Sequence, residues 1–127
     1  PEEQKEEQDT YEQFLVKKDV QFIEKIHQVI EENLDNSDFN IDTIASTIGL
    51  SRSAFFKKLK SLTGFAPVDL VKEIRLNKSI ELIKNSDMSI SEIAFAVGFK
   101  DSGYFSKCFR KKYDQTPREY MNEWRKG

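Results

Sequence analysis

Two groups of short polar, basic and aromatic side chains recur 50 positions apart, and their chemistry suits contacts with nucleic-acid bases. The candidate base contacts are Arg52, Ser53, Phe56 and Lys57 in the first group and Ser102, Gly103, Ser106 and Lys107 in the second. Arginine and lysine can donate to O6 and N7 of guanine, and an aromatic or methyl group can contact the methyl of thymine. This chemistry requires each group to lie in the first two turns of a helix whose outer face is free.

The second group falls within residues 89–113, which are predicted to form two short helices around a tight turn. Apolar residues recur on one face of each helix: Ile90, Ile93, Ala94 and Val97, then Phe105, Cys108 and Phe109. Gly98 stands where a helix end needs a positive φ, and Asp101 and Ser102 are both N-cap types for the next helix. This pattern is typical of a helix-turn-helix, whose second helix enters the DNA major groove. Many helical hairpins lack that function, so the hairpin alone leaves the question open.

The hairpin occurs twice in the chain. Residues 41–63 match the second hairpin with a shift of 49 before the turn and 50 after it, so the second turn has one extra residue. Two copies are too few for a solenoid and suit a pair of similar reading heads. Ser51 is the predicted N-cap of the first recognition helix, Gly64 its end, and Pro67 matches Pro117 at the start of a further helix.

A helix is predicted between the two heads, at residues 67–85. Nineteen residues at about 1.5 Å each give a length of roughly 28 Å. One turn of B-DNA is roughly 34 Å. A rigid helix of this length could hold two recognition helices in successive major grooves. The sequence therefore predicts an all-α fold of about seven helices, with helix-turn-helix units at about 41–63 and 90–113.

Charge is divided unevenly along the chain. Residues 1–38 hold 12 acidic and 4 basic residues, a net −8, and residues 39–127 hold 10 acidic and 16 basic, a net +6, which together give the overall −2. Such asymmetry indicates nucleic-acid contact, although an exposed helical surface also needs charge for solubility. The candidate phosphate contacts are Lys58, Lys60, Arg110, Lys111 and Lys112.

The amino-terminal segment is acidic and is expected to face away from DNA. Residues 1–10 lack core-forming side chains and are predicted to be a frayed start, with helical spacing from Tyr11 and an N-cap at Asp19. We place residues 1–18 in an acidic linker or helical lead-in and residues 19–127 in the DNA-binding domain. Structural support of the first head is the main expectation, and a docking surface for an upstream domain or a second copy is the alternative.

Other residues offer little chemistry of their own. His27 has no partner set for metal or catalysis, Cys108 has no recognisable base nearby, and Trp124 is expected to fill the core. Tyr104 is either a further DNA contact or half-buried support. Gly103 inside a helix costs up to about 1 kcal/mol relative to alanine, and either close approach to DNA or first-turn tolerance explains it. No cofactor, metal site or enzymatic activity is expected.

Several segments resemble the DNA-binding domain of the AraC/XylS family of bacterial transcription regulators. The resemblance covers about Phe39 to Trp124, and its most specific segments are Ile90–Ala94, Val97–Phe99, Tyr104–Ser106 and Thr116–Tyr120. The segment around Leu62–Gly64 is also similar to the output domain of Bacteroides-type hybrid two-component regulators. Asp114 stands where the family usually has glycine, and aspartate tolerates the left-handed conformation better than most residues.

The resemblance implies double-stranded DNA as a partner, with base contacts at the matching positions of the two recognition helices. It also implies an upstream receiver or sensor domain of the same chain, with a weak homodimer as a further expectation. No apolar run is long enough to span a membrane, so a cytoplasmic fragment without membrane contact is expected, even where the longer protein is membrane-anchored. Two alternatives stay open: a helical protein-interaction module with degenerate heads, and a DNA-repair enzyme that uses Cys108 as an alkyl acceptor.

Overall fold

Seven α-helices and no β-strand occur in the described part of the chain. The computed structural model describes the backbone of residues 2–125 and the side chains of residues 10–125. In chain order the helices are α1 (Glu2–Glu32), α2 (Ile41–Thr47), α3 (Arg52–Thr63), α4 (Pro67–Asn85), α5 (Ile90–Ala96), α6 (Ser102–Tyr113) and α7 (Pro117–Trp124). The predicted all-α class, the two helix-turn-helix units and the linker helix are confirmed.

The internal repeat is present in the backbone as well as in the sequence. Helices α2 and α5 each have 7 residues, and the recognition helices α3 and α6 each have 12. Gly49 and Gly98 both adopt positive φ, at 77° and 96°. In both turns the amide after the glycine donates to a carbonyl five residues back at 2.9 Å, from Leu50 to Ala45 and from Phe99 to Ala94. The first helix of each hairpin therefore ends in the same type of glycine turn.

Each recognition helix begins and ends at the residues predicted from the sequence. The Ser51 hydroxyl accepts from the amide of Ala54 at 3.1 Å, and the Asp101 carboxylate accepts from the amide of Gly103 at 2.7 Å. Gly64 and Asp114 end the two helices in the left-handed region, at φ 80° and 61°. Asp114 is the one described non-glycine residue with a positive φ, which agrees with the tolerance of aspartate for this conformation.

Helix α4 belongs to both halves of the core. It contacts α1 and α3 on the first side of the chain and α5 and α7 on the second. The bulkiest fully buried side chains are Phe55 in the first half and Phe105 and Phe109 in the second. Ser79, at the middle of α4, is fully buried and donates its hydroxyl to the carbonyl of Leu76 at 2.6 Å. Because both halves pack on one helix, the two recognition helices share one frame.

Polar contacts between α4 and α6 strengthen that frame. The Lys112 ammonium pairs with the carboxylate of Glu73 and donates to Oδ1 of Asn77 at 2.7 Å. The Tyr113 hydroxyl donates to the same Asn77 oxygen at 3.0 Å. Burial, with a smaller contribution from the nearby Glu73 charge, raises the pKa of Tyr113 to about 12. Lys112 is therefore held within the protein and is no longer a free cation for phosphate.

A cation at the end of α7 fastens that helix to the end of α4. Arg125 donates from Nε to the carbonyl of Ile83 at 2.9 Å and from Nη1 to the carbonyl of Met88 at 2.8 Å. A third, longer contact joins Nη2 to the carbonyl of Leu82 at 3.4 Å. These acceptors lie at and just beyond the last turn of α4, where carbonyls lack helical partners and a cation is stabilising.

Replacing Arg125 with alanine is expected to lower the free energy of unfolding by about 1.5–3 kcal/mol, the usual contribution of hydrogen bonds from a charged donor. Urea denaturation followed by circular dichroism measures the change. Arg118→Ala is the matched control, since Arg118 is exposed on the same helix, and it should change stability by less than about 0.5 kcal/mol. Equal losses in the two variants would show that the contacts of Arg125 contribute nothing particular.

Helix α1 differs from the prediction at its start. The backbone is helical from Glu2, so the prediction of a frayed start is wrong for residues 2–10. Asp19 lies inside the helix and does not cap it. Pro1 lies outside the described residues. Glutamate, glutamine and lysine are strong helix formers, which continues the helix through the acidic segment. Ile26 and Ile30 are buried. The preceding turns expose Tyr11, Phe14, Leu15, Val16 and Val20.

Trp124 does not fill the core as predicted. Its side chain is 53% exposed, stacked on Tyr120 at 6.1 Å between ring centroids. Lys84 belongs to α4, and its ammonium lies 4.1 Å from the centre of the tryptophan ring. The tryptophan ends the last helix, where the core is already filled by Phe109 and Tyr120. It therefore covers the edge of the second half and joins α7 to α4.

Candidate nucleic-acid interface

The four candidate base contacts of the first head lie together on α3. Arg52, Ser53, Phe56 and Lys57 are exposed and line one shallow depression on the protein surface. Phe56 is 47% exposed although its neighbour Phe55 is fully buried, so it is not part of the core. Arg52 pairs with Asp42 at 3.4 Å in an exposed position. Such a pair contributes only about 0–1 kcal/mol and can be exchanged for another partner.

The candidate base contacts of the second head are less uniformly exposed. Gly103 and Lys107 are exposed, whereas Ser102 and Ser106 are half-buried. An added Cβ at Gly103 would lie 3.1 Å from Oδ1 of Asp101, the oxygen that caps α6. Glycine therefore leaves room for the N-cap, a reason within the protein that the sequence did not reveal. Lys107 is the one long side chain among the four candidates of the second head.

Tyr104 stands at the edge of the second recognition helix. Its ring is half exposed and lies 6.0 Å from the ring of Phe99 between centroids. The Lys72 ammonium lies 5.7 Å from the centre of the same ring. A hydrogen bond with the Tyr104 hydroxyl raises the pKa of Lys72. Tyr104 thus supports the turn and faces solvent at the same time.

The candidate phosphate contacts divide into three groups. Lys60, Arg110 and Lys111 are exposed near the carboxyl ends of the recognition helices. Lys58 is exposed too, but its ammonium lies 4.3 Å from the centre of the Phe22 ring on α1. Lys112 is turned toward α4 and bonded there to Glu73. We therefore remove Lys112 from the phosphate set, because its charge is neutralised and its side chain largely covered.

The starts of both recognition helices border the same stretch of α4. Arg52 and Phe56 share a groove with Val68, in the first turn of α4. Val68 in turn lines a cleft with Lys72 and with Tyr104, in the first turn of α6. The amino-terminal turns of α3 and α6 therefore lie along the same stretch of α4.

Three basic residues in this region were missed as functional candidates. Lys72, Arg75 and Lys100 line the cleft between the two heads. No periodicity in the sequence marks them, since they come from a helix and from a turn. Arg75 is part of a segment that resembles the AraC/XylS family, which was the only available signal.

Two helix-turn-helix units on a shared helix, each with an exposed polar and basic recognition face, define the class of double helix-turn-helix DNA-binding domains. Residues 44–123 match the model of a protein family described as a helix-turn-helix domain. The chain belongs to this AraC-type family of DNA-binding domains from transcription regulators. The match covers both hairpins and α4, and it confirms the resemblance predicted from the sequence.

The chain is also similar to individual proteins. It is 38% identical over 106 residues to Histidine kinase P4 from Formosa agariphila, and this match covers 84% of the chain. The structure is similar to the C-terminal domain of AraT, a response regulator from Geobacillus stearothermophilus, with a TM-score of 0.73 and 26% identity over 80% of this chain and 84% of the other. The structure is also similar to the DNA-binding domain of AdpA, which was solved in complex with a target DNA. The TM-score of this match is 0.74, with 28% identity over 82% of this chain and 92% of the other.

The chain spans only 8% of the length of the similar histidine kinase. Within residues 2–125, no helix is both long and apolar enough to cross a lipid bilayer. Among the described side chains, no group of three histidine, cysteine or acidic residues could hold a metal ion.

Proposed function

We propose that the domain binds duplex DNA by inserting α3 and α6 into successive major grooves on one side of the double helix. The observation that carries the proposal is the shared border of both recognition-helix starts along α4. The 19 residues of α4 give a rise of about 28 Å, close to the roughly 34 Å of one DNA turn. The similar AdpA domain, solved with a target DNA, supports the same use of the fold.

The base contacts are proposed to be the two sets of residues named from the sequence. In the first head, Arg52 and Lys57 would donate to guanine, and Phe56 would pack on a thymine methyl. In the second head, Lys107 would supply the long donor, and Ser102, Gly103 and Ser106 would allow close approach of the helix. Specificity would then be greater at the half-site that the first head reads, because more of its side chains reach the groove.

Phosphate contacts would position the domain without reading sequence. We assign them to Lys60, Arg110 and Lys111, with Lys58 at the edge beside α1. The proposed domain begins near residue 19 and the lead-in precedes it, although α1 passes this boundary without a break. The turns before residue 19 would then carry the acidic charge away from the phosphates.

We further propose that the domain is the output part of a hybrid two-component regulator in the cytoplasm. Its similarity to Histidine kinase P4 and to the C-terminal domain of the response regulator AraT supports this role. A receiver domain of the same chain would then lie upstream of α1. The exposed apolar residues of α1 offer a surface for that domain or for weak pairing with a second copy.

Fluorescence anisotropy with a labelled duplex at several salt concentrations tests the DNA-binding proposal. Neutralised phosphates release counterions, so affinity should fall steeply with salt, by on the order of 10² between 50 and 200 mM if the four assigned cations each contact a phosphate. A flat response to salt, together with stable dimers in light scattering, would instead indicate a protein-interaction module.

A further inference from the structure

A cleft of about 720 Å³ lies between the two helix-turn-helix units, over the first half of α4. Its apolar walls come from the first unit, from α4 and from the second unit: Phe39, Ile41, Val68, Val71, Phe99 and Tyr104. None of the eight proposed base contacts lines it. A concave, mostly apolar space of this size has the properties of a small-molecule site.

The cleft also contains an excess of positive charge. Lys72, Arg75 and Lys100 line it against the single carboxylate of Asp101, a net +2. The Asp101 carboxylate is already engaged as the cap of α6. Lys100 pairs with Asp38 at 3.3 Å, but both side chains are largely exposed, so this pair is weak. Lys72 has the Tyr104 hydroxyl as a neutral partner, and no carboxylate forms an ion pair with Lys72 or Arg75 among the described side chains.

Arg75 is the least satisfied of these cations. Its Nε is buried against Gly98 and has no hydrogen-bond partner, and Nη2 has only a distant acceptor, the carbonyl of Asn36 at 3.4 Å. Among the described side chains, no carboxylate pairs with Arg75 within 4 Å. Burial lowers the pKa of its guanidinium. Nε itself is covered by Gly98, but the residue is only half-buried and lines the cleft. An anion that reaches the exposed part of this guanidinium would therefore be stabilised.

We propose that this cleft binds a small amphipathic monocarboxylic acid. Its carboxylate would accept hydrogen bonds from Arg75 and Lys72, and its apolar body would lie between Val71 and Phe99. A phosphate group alone would leave the apolar walls without a partner, and a neutral hydrocarbon would leave the cations without one. An amphipathic acid satisfies both features of the cleft at once.

The position of the cleft gives such an acid a consequence for DNA binding, which rests on the proposed function. Val68 and Ile41 line both the cleft and the groove beside Arg52 and Phe56. The opposite wall includes Tyr104, at the start of α6. A bound acid would therefore lie between the starts of the two recognition helices, and its negative charge would lower the affinity for duplex DNA.

Decanoate is a suitable probe, and its binding is measured without DNA by isothermal titration calorimetry and by amide shifts in NMR spectra. We expect one saturable site, with shifted amides concentrated in residues 68–75 and 98–104. Decanol and decylamine, which lack the negative charge, should bind at least tenfold more weakly. Lys72→Gln should weaken decanoate at least tenfold, and so should Val68→Glu, which places a carboxylate at a position that is 59% exposed. Lys78→Gln, on α4 outside the cleft, is the matched control and should bind as the wild type does.

Several results would overturn the inference. They are the absence of saturable binding, equal affinity for decanoate and decylamine, and unchanged affinity in both Val68→Glu and Lys72→Gln. If the wild type does not bind decanoate and Lys72→Gln binds DNA more weakly, the cleft would instead be assigned to contacts with the DNA backbone. Anisotropy without decanoate tests the DNA-binding proposal separately. Saturable decanoate binding that leaves the DNA affinity of the wild type unchanged would refute the regulatory consequence.

Discussion

Gly98→Ala is expected to destabilise the domain by more than about 3 kcal/mol, whereas Gly49→Ala at the equivalent position of the first hairpin should cost only about 1–2 kcal/mol. Both glycines have positive φ, which costs a residue with a Cβ about 1–2 kcal/mol. An added Cβ at Gly49 meets nothing within 4 Å. At Gly98 it would clash with the carbonyl of Leu34 and lie 2.8 Å from the guanidinium of Arg75. The difference arises because Gly98 packs against the first half of the core.

Urea denaturation of the two variants measures this difference directly. Overpacking a close contact adds about 1–3 kcal/mol to the backbone strain, and the clash at Gly98 is with a backbone atom that cannot turn away. Since Gly49 shares the turn geometry, its variant is the control for strain alone. Similar losses at the two positions would mean that the second turn is not packed against Leu34 and Arg75 as the structure shows.

The second large effect concerns sequence recognition. Lys57→Ala and Lys107→Ala should each reduce affinity for the preferred duplex by about 10- to 100-fold, the cost of one good base contact of about 1–3 kcal/mol. The two lysines lie on separate helices with no shared partner, so the double variant should lose roughly the product of the two factors. Affinity for random duplex should fall much less, because that binding depends on phosphate contacts.

The control for this pair is Lys78→Ala, which removes the same charge from α4 at an exposed residue paired with Glu81. It should leave both affinities nearly unchanged. Competition anisotropy with preferred and random duplexes gives the ratio of the two affinities for each variant. Equal losses on both duplexes would move Lys57 and Lys107 from the base contacts to the phosphate contacts.

Local chemistry predicted most of the fold. Ser51, Asp101 and Thr116 cap helices by accepting from the backbone, and each interaction depends on residues close in sequence. The repeat then located the first hairpin from the second, and it showed that the second turn has one extra residue. The recognition faces followed, since the apolar stripe of a helix identifies its opposite side.

Tertiary contacts account for what the sequence could not predict. Lys112 was assigned to phosphate because it follows two other basic residues, but its partner Glu73 lies 39 positions away. Trp124 is apolar enough for a core and is nevertheless left at the edge. The unpartnered guanidinium of Arg75 depends on where Gly98 and Asn36 lie, which no pattern in the sequence encodes.

Selection of bound duplexes from a random pool tests most directly whether α4 holds two reading heads against one side of DNA. We expect two preferred half-sites about 10–10.5 bp apart, one helical turn. Inserting five base pairs between them would turn one half-site to the far side of the duplex and should reduce affinity by about 100-fold or more, because the contacts of one head are lost. A single half-site, or an affinity that is insensitive to the insertion, would contradict the account.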